Sequence, residues 1–168
     1  MACHRFVYTY PAMNITSLLS PDRVVCRDDI GSKKRLLELL AELLGSSSQS
    51  LPQQEIFESL VNREKLGSTG LGKGVALPHG RLGALQEPVC AFIRIEPPID
   101  FDAADGQPVD LVFSLLVPED STEEHLQVLS TIAEIFSDPG ICIALRKCQT
   151  DKCLLDLLAQ WDSRRIPA

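Results

Sequence analysis

The chain has 168 residues, 45% of them hydrophobic but only 5% aromatic, which suits one domain with an aliphatic core. A formal net charge of −7 and a pI of about 4.9 argue against a nucleic-acid binder, whose electrostatic footprint is basic. Such acidity serves either solubility or the steering of a positively charged protein partner.

Residues 1–12 read as an N-terminal extension, disordered or a mis-assigned start, before a better-organised segment that Met13 opens. A single domain is expected over 13–162, with a C-terminal tail at 163–168. A helical turn at 16–19 and a short strand at 23–26 come first. Ser32 then caps a helix over 33–44, with leucines along one side and Gly45 just past its end. Ser50 and Gln53 form a capping box for the next helix, Pro52 fits its first turn, and the helix reaches Leu66 before Gly67 stops it.

Strand signals follow at 75–77 and 89–95, then a turn-rich connection over 96–107 that contains Pro97, Pro98 and Gly106. Residues 109–117 are nearly all apolar, as in a strand buried on both faces. Ser121 and Glu124 make a second capping box for a helix to about 137. Asp138-Pro139 opens another, and Thr150 caps a last one to about Trp161. Helices before, between and after a few strands predict an α/β fold with a mixed sheet. No apolar run reaches the length of a membrane span, and the N-terminus lacks a signal-type apolar core, so the expectation is a cytoplasmic protein without membrane insertion.

The six cysteines (Cys3, Cys26, Cys90, Cys142, Cys148 and Cys153) include no Cys-x-x-Cys pair and no zinc-type His–Cys spacing. They are expected to be reduced thiols, four of them in apolar or helical runs, with no metal and no cofactor.

The densest signal is the run from Gly67 through Ser68, Thr69, Gly70, Leu71, Gly72, Lys73 and Gly74 to Val75-Ala76-Leu77-Pro78-His79-Gly80. Glycines at this density allow positive φ and bring backbone N–H groups close to a ligand. Gly67-x-x-x-x-Gly72-Lys73 fails as a P-loop, because Gly74 stands where Ser or Thr would hold Mg²⁺ and a helix precedes where a strand should. No Gly-x-Gly-x-x-Gly is present, since the last position falls on Val75. Pro78 limits how His79 is presented, at the point where a short strand is expected to give way to a turn.

On residues alone His79 reads either as a nucleophile, neutral near pH 7, or as a turn histidine without chemistry. His125 falls in the first turn of the helix after the buried strand, near that strand's carboxyl end, where open α/β sheets carry their sites. In line with Val128, Leu129 and Ile132 it is expected to point inward, as a second site histidine or a core-edge one. Arg63 stands near the end of the helix entering the glycine run, either to contact phosphate or as a cation at a helix C-terminus.

The blocks Asn62-Arg63-Glu64-Lys65, Gly67-Ser68-Thr69-Gly70 and Ala76-Leu77-Pro78-His79-Gly80 resemble the enzyme IIA domains of the mannitol/fructose class of the bacterial phosphotransferase system. Phe101-Asp102-Ala103, Gln107 to Leu111 and His125-Leu126 extend the likeness over about residues 13–161. With no IIB or membrane IIC domain attached, the chain is most similar to the stand-alone nitrogen-regulatory branch. The resemblance implies a mixed, about five-stranded sheet flanked by helices on both faces. It implies that His79 accepts a phosphoryl group from an HPr-like carrier (NPr in this branch), on the tele nitrogen. It makes His125 the residue that orients or stabilises that group and Arg63 a neighbouring charge. Gly67, Ser68, Thr69, Gly70, Gly72, Pro78 and Gly80 become a phosphate-loop and docking rim. Two roles stay open: a regulator whose targets, such as transporters or sensor kinases, respond to its phosphorylation state, or a sugar-transport IIA component that passes phosphate to a separate IIB domain.

Overall fold

The computed structural model describes residues 15–47, 51–121 and 123–165, leaving aside the side chains of 123–126 and 162–165. The expected extension 1–12, Ser50 of the first capping box and the Glu124 side chain of the second lie outside the described residues.

A short helix α1 (Ile15–Leu18) and a 3₁₀ turn (Pro21–Arg23) lead into β1 (Val24–Arg27). Helix α2 (Lys33–Gly45) begins as predicted, with Ser32 Oγ accepting the Arg35 N–H at 3.1 Å. Gly45 is the helix's last residue and not a left-handed one beyond it. Ser46 stays right-handed (φ −77°, ψ 0°), so no glycine-type cap is needed. Helix α3 (Gln53–Lys65) starts two residues later than a cap at Ser50 implies, with Pro52 extended at the N-cap position and outside the first turn.

The strands are β2 (Gly70–Gly72), β3 (Val75–Ala76), β4 (His79–Leu82), β5 (Val89–Ile99) and β6 (Val109–Pro118). They form a six-stranded mixed sheet in the order β1-β5-β6-β3-β2, with β4 also paired to β6. The expected class holds; the count of about five rises to six. Strand β6 is the axis. On one edge it runs antiparallel to β5 (Val89↔Leu116 to Ile99↔Val109). Its other edge is shared by β3, parallel at Leu111 and Val112, and β4, parallel from His79↔Leu115 to Leu82↔Pro118. The turn-rich reading of 96–107 is corrected at its start, since β5 continues to Ile99. Pro97 and Pro98, which lack N–H groups, fall between the paired positions Arg94 and Ile99, where no ladder bond is asked of them.

Alternation along β5 and β6 builds two cores. Ala91, Ile93, Val112 and Leu116 face α2 and α3, where Leu36, Leu40, Ile56 and Leu60 are fully buried. Cys90, Phe92, Leu111, Phe113 and Leu115 face the other layer, which includes α4 (Glu123–Ser137), α5 (Pro139–Lys147) and α6 (Asp151–Arg165). Asp138 Oδ1 caps α5 through the Gly140 N–H at 2.8 Å, and Thr150 Oγ1 accepts the Cys153 N–H at 3.2 Å. Helix α6 outruns the predicted end at 161 and reaches Arg165, inside the segment read as a tail.

The expectation of six reduced thiols is corrected at one pair: Cys148 and Cys153 form a disulfide. Cys148 ends α5 and Cys153 lies in the first turn of α6. The short link between these helices brings their Cα atoms to 5.6 Å, within disulfide reach, which spacing along two separately read helices did not reveal. Cys26, Cys90 and Cys142 are free thiols, and burial pushes the pKa of each up.

Candidate functional site

Helix α3 lies against β4 because Gly80 permits it. A Cβ built on Gly80 would stand 2.4 Å from Ser59 Oγ, so any side chain there would hold the helix off the strand. Ser59 closes the contact by donating its hydroxyl to the Arg81 carbonyl at 2.7 Å. One turn further along α3, Arg63 reaches His79 at the start of β4, donating from Nε to His79 Nε2 at 3.2 Å. Its Nη1 donates to the Gly67 carbonyl at 3.0 Å, which anchors the guanidinium at the helix end. The sequence left Arg63 open between a phosphate contact and a helix-end cation; the structure places it against both the His79 ring and a helix-end carbonyl.

The remaining nitrogen decides the tautomer. His79 Nδ1 lies 2.8 Å from the Leu77 carbonyl oxygen, which can only accept, so Nδ1 carries the proton. Nε2 therefore keeps its lone pair, consistent with the N–H that Arg63 directs at it. Burial is the main influence on the ring and lowers its pKa; the Leu77 hydrogen bond opposes this, while the charge of Arg63 adds to it. The ring stays neutral at pH 7. It opens on a cleft of about 640 Å³ lined by Ser59, Asn62, Arg63, His79, Gly80 and Arg81 among others, with the exposed Leu66 at its rim. The arrangement is an uncharged nucleophilic nitrogen beside a guanidinium suited to an anion.

His79 does not sit where a strand yields to a turn, as its sequence suggested. The break in the strands is the preceding pair, Leu77 and Pro78, and His79 opens a new strand. The Pro78 carbonyl is taken back into the sheet by the Leu115 N–H at 3.1 Å and the buried Ser114 Oγ at 2.9 Å.

The glycine run is likewise more ordered than an open rim. Gly70 to Ala76 form an antiparallel hairpin, β2 with β3, and positive φ at Gly72 (89°), Lys73 (57°) and Gly74 (82°) makes its turn. Ser68 Oγ donates to Phe101 O at 3.1 Å, and Lys73 N donates to Asp105 at 2.8 Å, so the hairpin is braced on residues 101–105. Of the predicted rim, Gly67 meets the site through Arg63, Pro78 and Gly80 flank His79, and Thr69 belongs to a buried cluster.

Glu64, which no sequence argument singled out by itself, centres that cluster at 9% exposure. Its carboxylate receives Lys33 Nζ at 2.8 Å, Thr69 Oγ1 at 2.6 Å and the Thr69 N–H at 3.1 Å. Burial works to raise its pKa, yet the bonds from Lys33 and Thr69 win and hold it below the usual value. Only the Asn62-Arg63-Glu64-Lys65 block of the family resemblance contained it. The backbone of His125 is in the first turn of α4, which follows β6, as predicted; its side chain lies outside the described residues. Among the described residues no group of three or more His, Cys, Asp or Glu could hold a metal ion. None of their helices is long and apolar enough alone to cross a membrane.

Comparison with known proteins gives this geometry its relatives. The family model described as phosphoenolpyruvate-dependent sugar phosphotransferase system, EIIA 2, matches residues 17–161. A nitrogen regulatory protein of Pseudomonas aeruginosa is 44% identical over 146 residues, covering 87% of this chain and 95% of that one. The crystal structure of the nitrogen regulatory protein IIA-Ntr from Neisseria meningitidis is similar with a TM-score of 0.79 and 46% identity, over 86% of this chain and 98% of that one. The crystal structure of IIA mannitol from Escherichia coli shares the fold at a TM-score of 0.70 and 21% identity, over 84% of this chain and 99% of that one.

Proposed function

Since the chain belongs to the EIIA 2 family of the phosphoenolpyruvate-dependent sugar phosphotransferase system and strongly resembles its nitrogen regulatory members, we propose that it accepts a phosphoryl group on His79 Nε2. The donor is an HPr-like phosphocarrier, NPr in the nitrogen branch, and the setting is the cytoplasm. The phosphorylation state then regulates partner proteins. One observation carries this reading: the Leu77 carbonyl holds the proton on His79 Nδ1, leaving Nε2 as the nucleophile beside Arg63.

In the transfer, the Nε2 lone pair attacks the phosphorus of the carrier's phosphohistidine while that P–N bond breaks and returns its electron pair to the donor ring. No proton needs to move. The His79 ring gains positive character as the N–P bond forms, and the Leu77 carbonyl on Nδ1–H supports it. Phosphoryl transfer asks mainly for positioning and charge stabilisation. Arg63 supplies the charge by turning its N–H groups from Nε2 to the incoming oxygens, and His125, in the first turn of α4, is assigned to orient or stabilise the same group. Negative charge added beside the exposed Leu66 changes which proteins this face will bind.

The test is incubation with phosphoenolpyruvate, enzyme I and the carrier, followed by mapping of the acid-labile phosphate. Phosphate on Nε2 of His79, lost in His79→Ala, is the expected result. Phosphate at another residue, or full labelling of His79→Ala, overturns the assignment.

A further inference from the structure

A buried carboxylate is an unusual way to join a helix to a loop, since a well-packed apolar pair serves stability as well or better. Glu64 is such a carboxylate, and a continuous path of hydrogen bonds leads from it to the His79 ring. Its oxygens fix both the N–H and the hydroxyl of Thr69. The Thr69 carbonyl accepts the Leu77 N–H at 3.0 Å. The carbonyl of that same Leu77 accepts His79 Nδ1–H at 2.8 Å. Lys33, itself 4.6 Å above the Phe101 ring, holds the far end of the path.

We propose that Glu64, acting through Thr69 and Leu77, is a positioning residue that sets the tautomer of His79. The Leu77 residue is the pivot. Its N–H is tied to Thr69, and the next carbonyl along, that of Pro78, is tied to Ser114 and Leu115. With both sides held, the Leu77 carbonyl has one direction left, toward Nδ1. Releasing Thr69 frees one side, lets that carbonyl swing, and allows the proton to move to Nε2, with Arg63 Nε turning away from the ring. A ring protonated on Nε2 has no lone pair there for phosphorus. The charge of Glu64 also supports the ring's proton affinity, a weaker influence than burial or the Leu77 bond.

The inference rests on His79 being the phosphoryl acceptor, but its test does not. The full chain is labelled with ¹⁵N-histidine, and the ring signals of His79 are identified by their absence in His79→Ala. Their shifts report the share of each tautomer in the neutral protein. Glu64→Gln and Thr69→Val should each raise the Nε2–H share several-fold. Acceptance of phosphate from the carrier should fall by about tenfold in kcat, with KM little changed. Thr69→Val, which keeps the side-chain shape, decides the matter should Glu64→Gln fail to fold. A folded variant whose tautomer ratio matches the parent overturns the proposal, whatever its loss of melting temperature, because Glu64 is then structural only. Failure of the parent chain to label at His79 would refute the functional reading and leave the tautomer result standing.

Discussion

A methyl group placed on Gly80 has no room between α3 and β4, which makes Gly80→Ala a direct measure of how tightly the site is assembled. The new Cβ would lie 2.4 Å from Ser59 Oγ, 3.3 Å from Ser59 Cβ and 3.4 Å from the Ser59 carbonyl carbon. Rotating the hydroxyl relieves the first contact but forfeits its 2.7 Å bond to Arg81 O, a loss of about 1 kcal/mol. Of the other two contacts, 3.3 Å is slightly tight and 3.4 Å is ordinary van der Waals distance, so α3 yields by a few tenths of an ångström, at the low end, about 1 kcal/mol, of what overpacking costs. The total is about 2 kcal/mol, or a melting temperature lower by about 4–8 °C for a chain of this size. Thermal melts of Gly80→Ala, Ser59→Ala and the double variant form the assay. Ser59→Ala alone costs about 1 kcal/mol, but in the Gly80→Ala background that bond is already gone, so the double variant should fall short of the sum by about 1 kcal/mol. Because Arg63 lies one turn beyond Ser59, the same retreat lengthens its bond to His79 and slows labelling. Additivity within about 0.3 kcal/mol, or a Gly80→Ala melt equal to the parent's, would refute the close-packing argument.

Three further outcomes follow from the charges around His79. The depressed pKa of its buried ring means that an NMR titration should find a midpoint below 6.5, with labelling falling to half its plateau only when the pH reaches that midpoint. The linked stability has a definite sign: the unfolded chain takes up the proton first, so acidification through 6.5 toward the folded midpoint should destabilise the parent more than His79→Ala. Arg63→Gln should raise the His79 midpoint, since the guanidinium lowers it, and should also slow acceptance of phosphate; an unmoved midpoint would mean that the 3.2 Å contact carries no electrostatic weight.

The sequence showed the long elements well, because α2 and α4 carry apolar periodicity, β6 is a nearly continuous apolar run, and cap or stop residues mark α3, α5 and α6. It concealed two of the short strands, β2 and β4. Gly70-Leu71-Gly72 has almost no side chain with which to declare a strand, and His79-Gly80-Arg81 is too polar to look like one; β2 and β4 exist because β3 and β6 supply their ladders. His79 was legible from its glycines and from Pro78. Arg63 was legible only as a choice between a phosphate contact and a helix-end cation, and Glu64 not at all, since these neighbours part company at a helix end, one toward the cleft and the other into the interior. The Cys148–Cys153 bridge was hidden for a similar reason, as it depends on the angle between α5 and α6.

Seating His79 on a sheet strand also bears on how quickly two proteins can part. A phosphoryl acceptor carried on a mobile loop must be ordered at each encounter, and that lost freedom weakens binding. Here the ring, its tautomer and its neighbouring cation are already in place. Under the proposed function a small contact is then enough for productive transfer, and the complex can remain weak and short-lived. A component that meets a carrier and then moves on to its targets, as proposed, gains more from rapid turnover of partners than from tight grip.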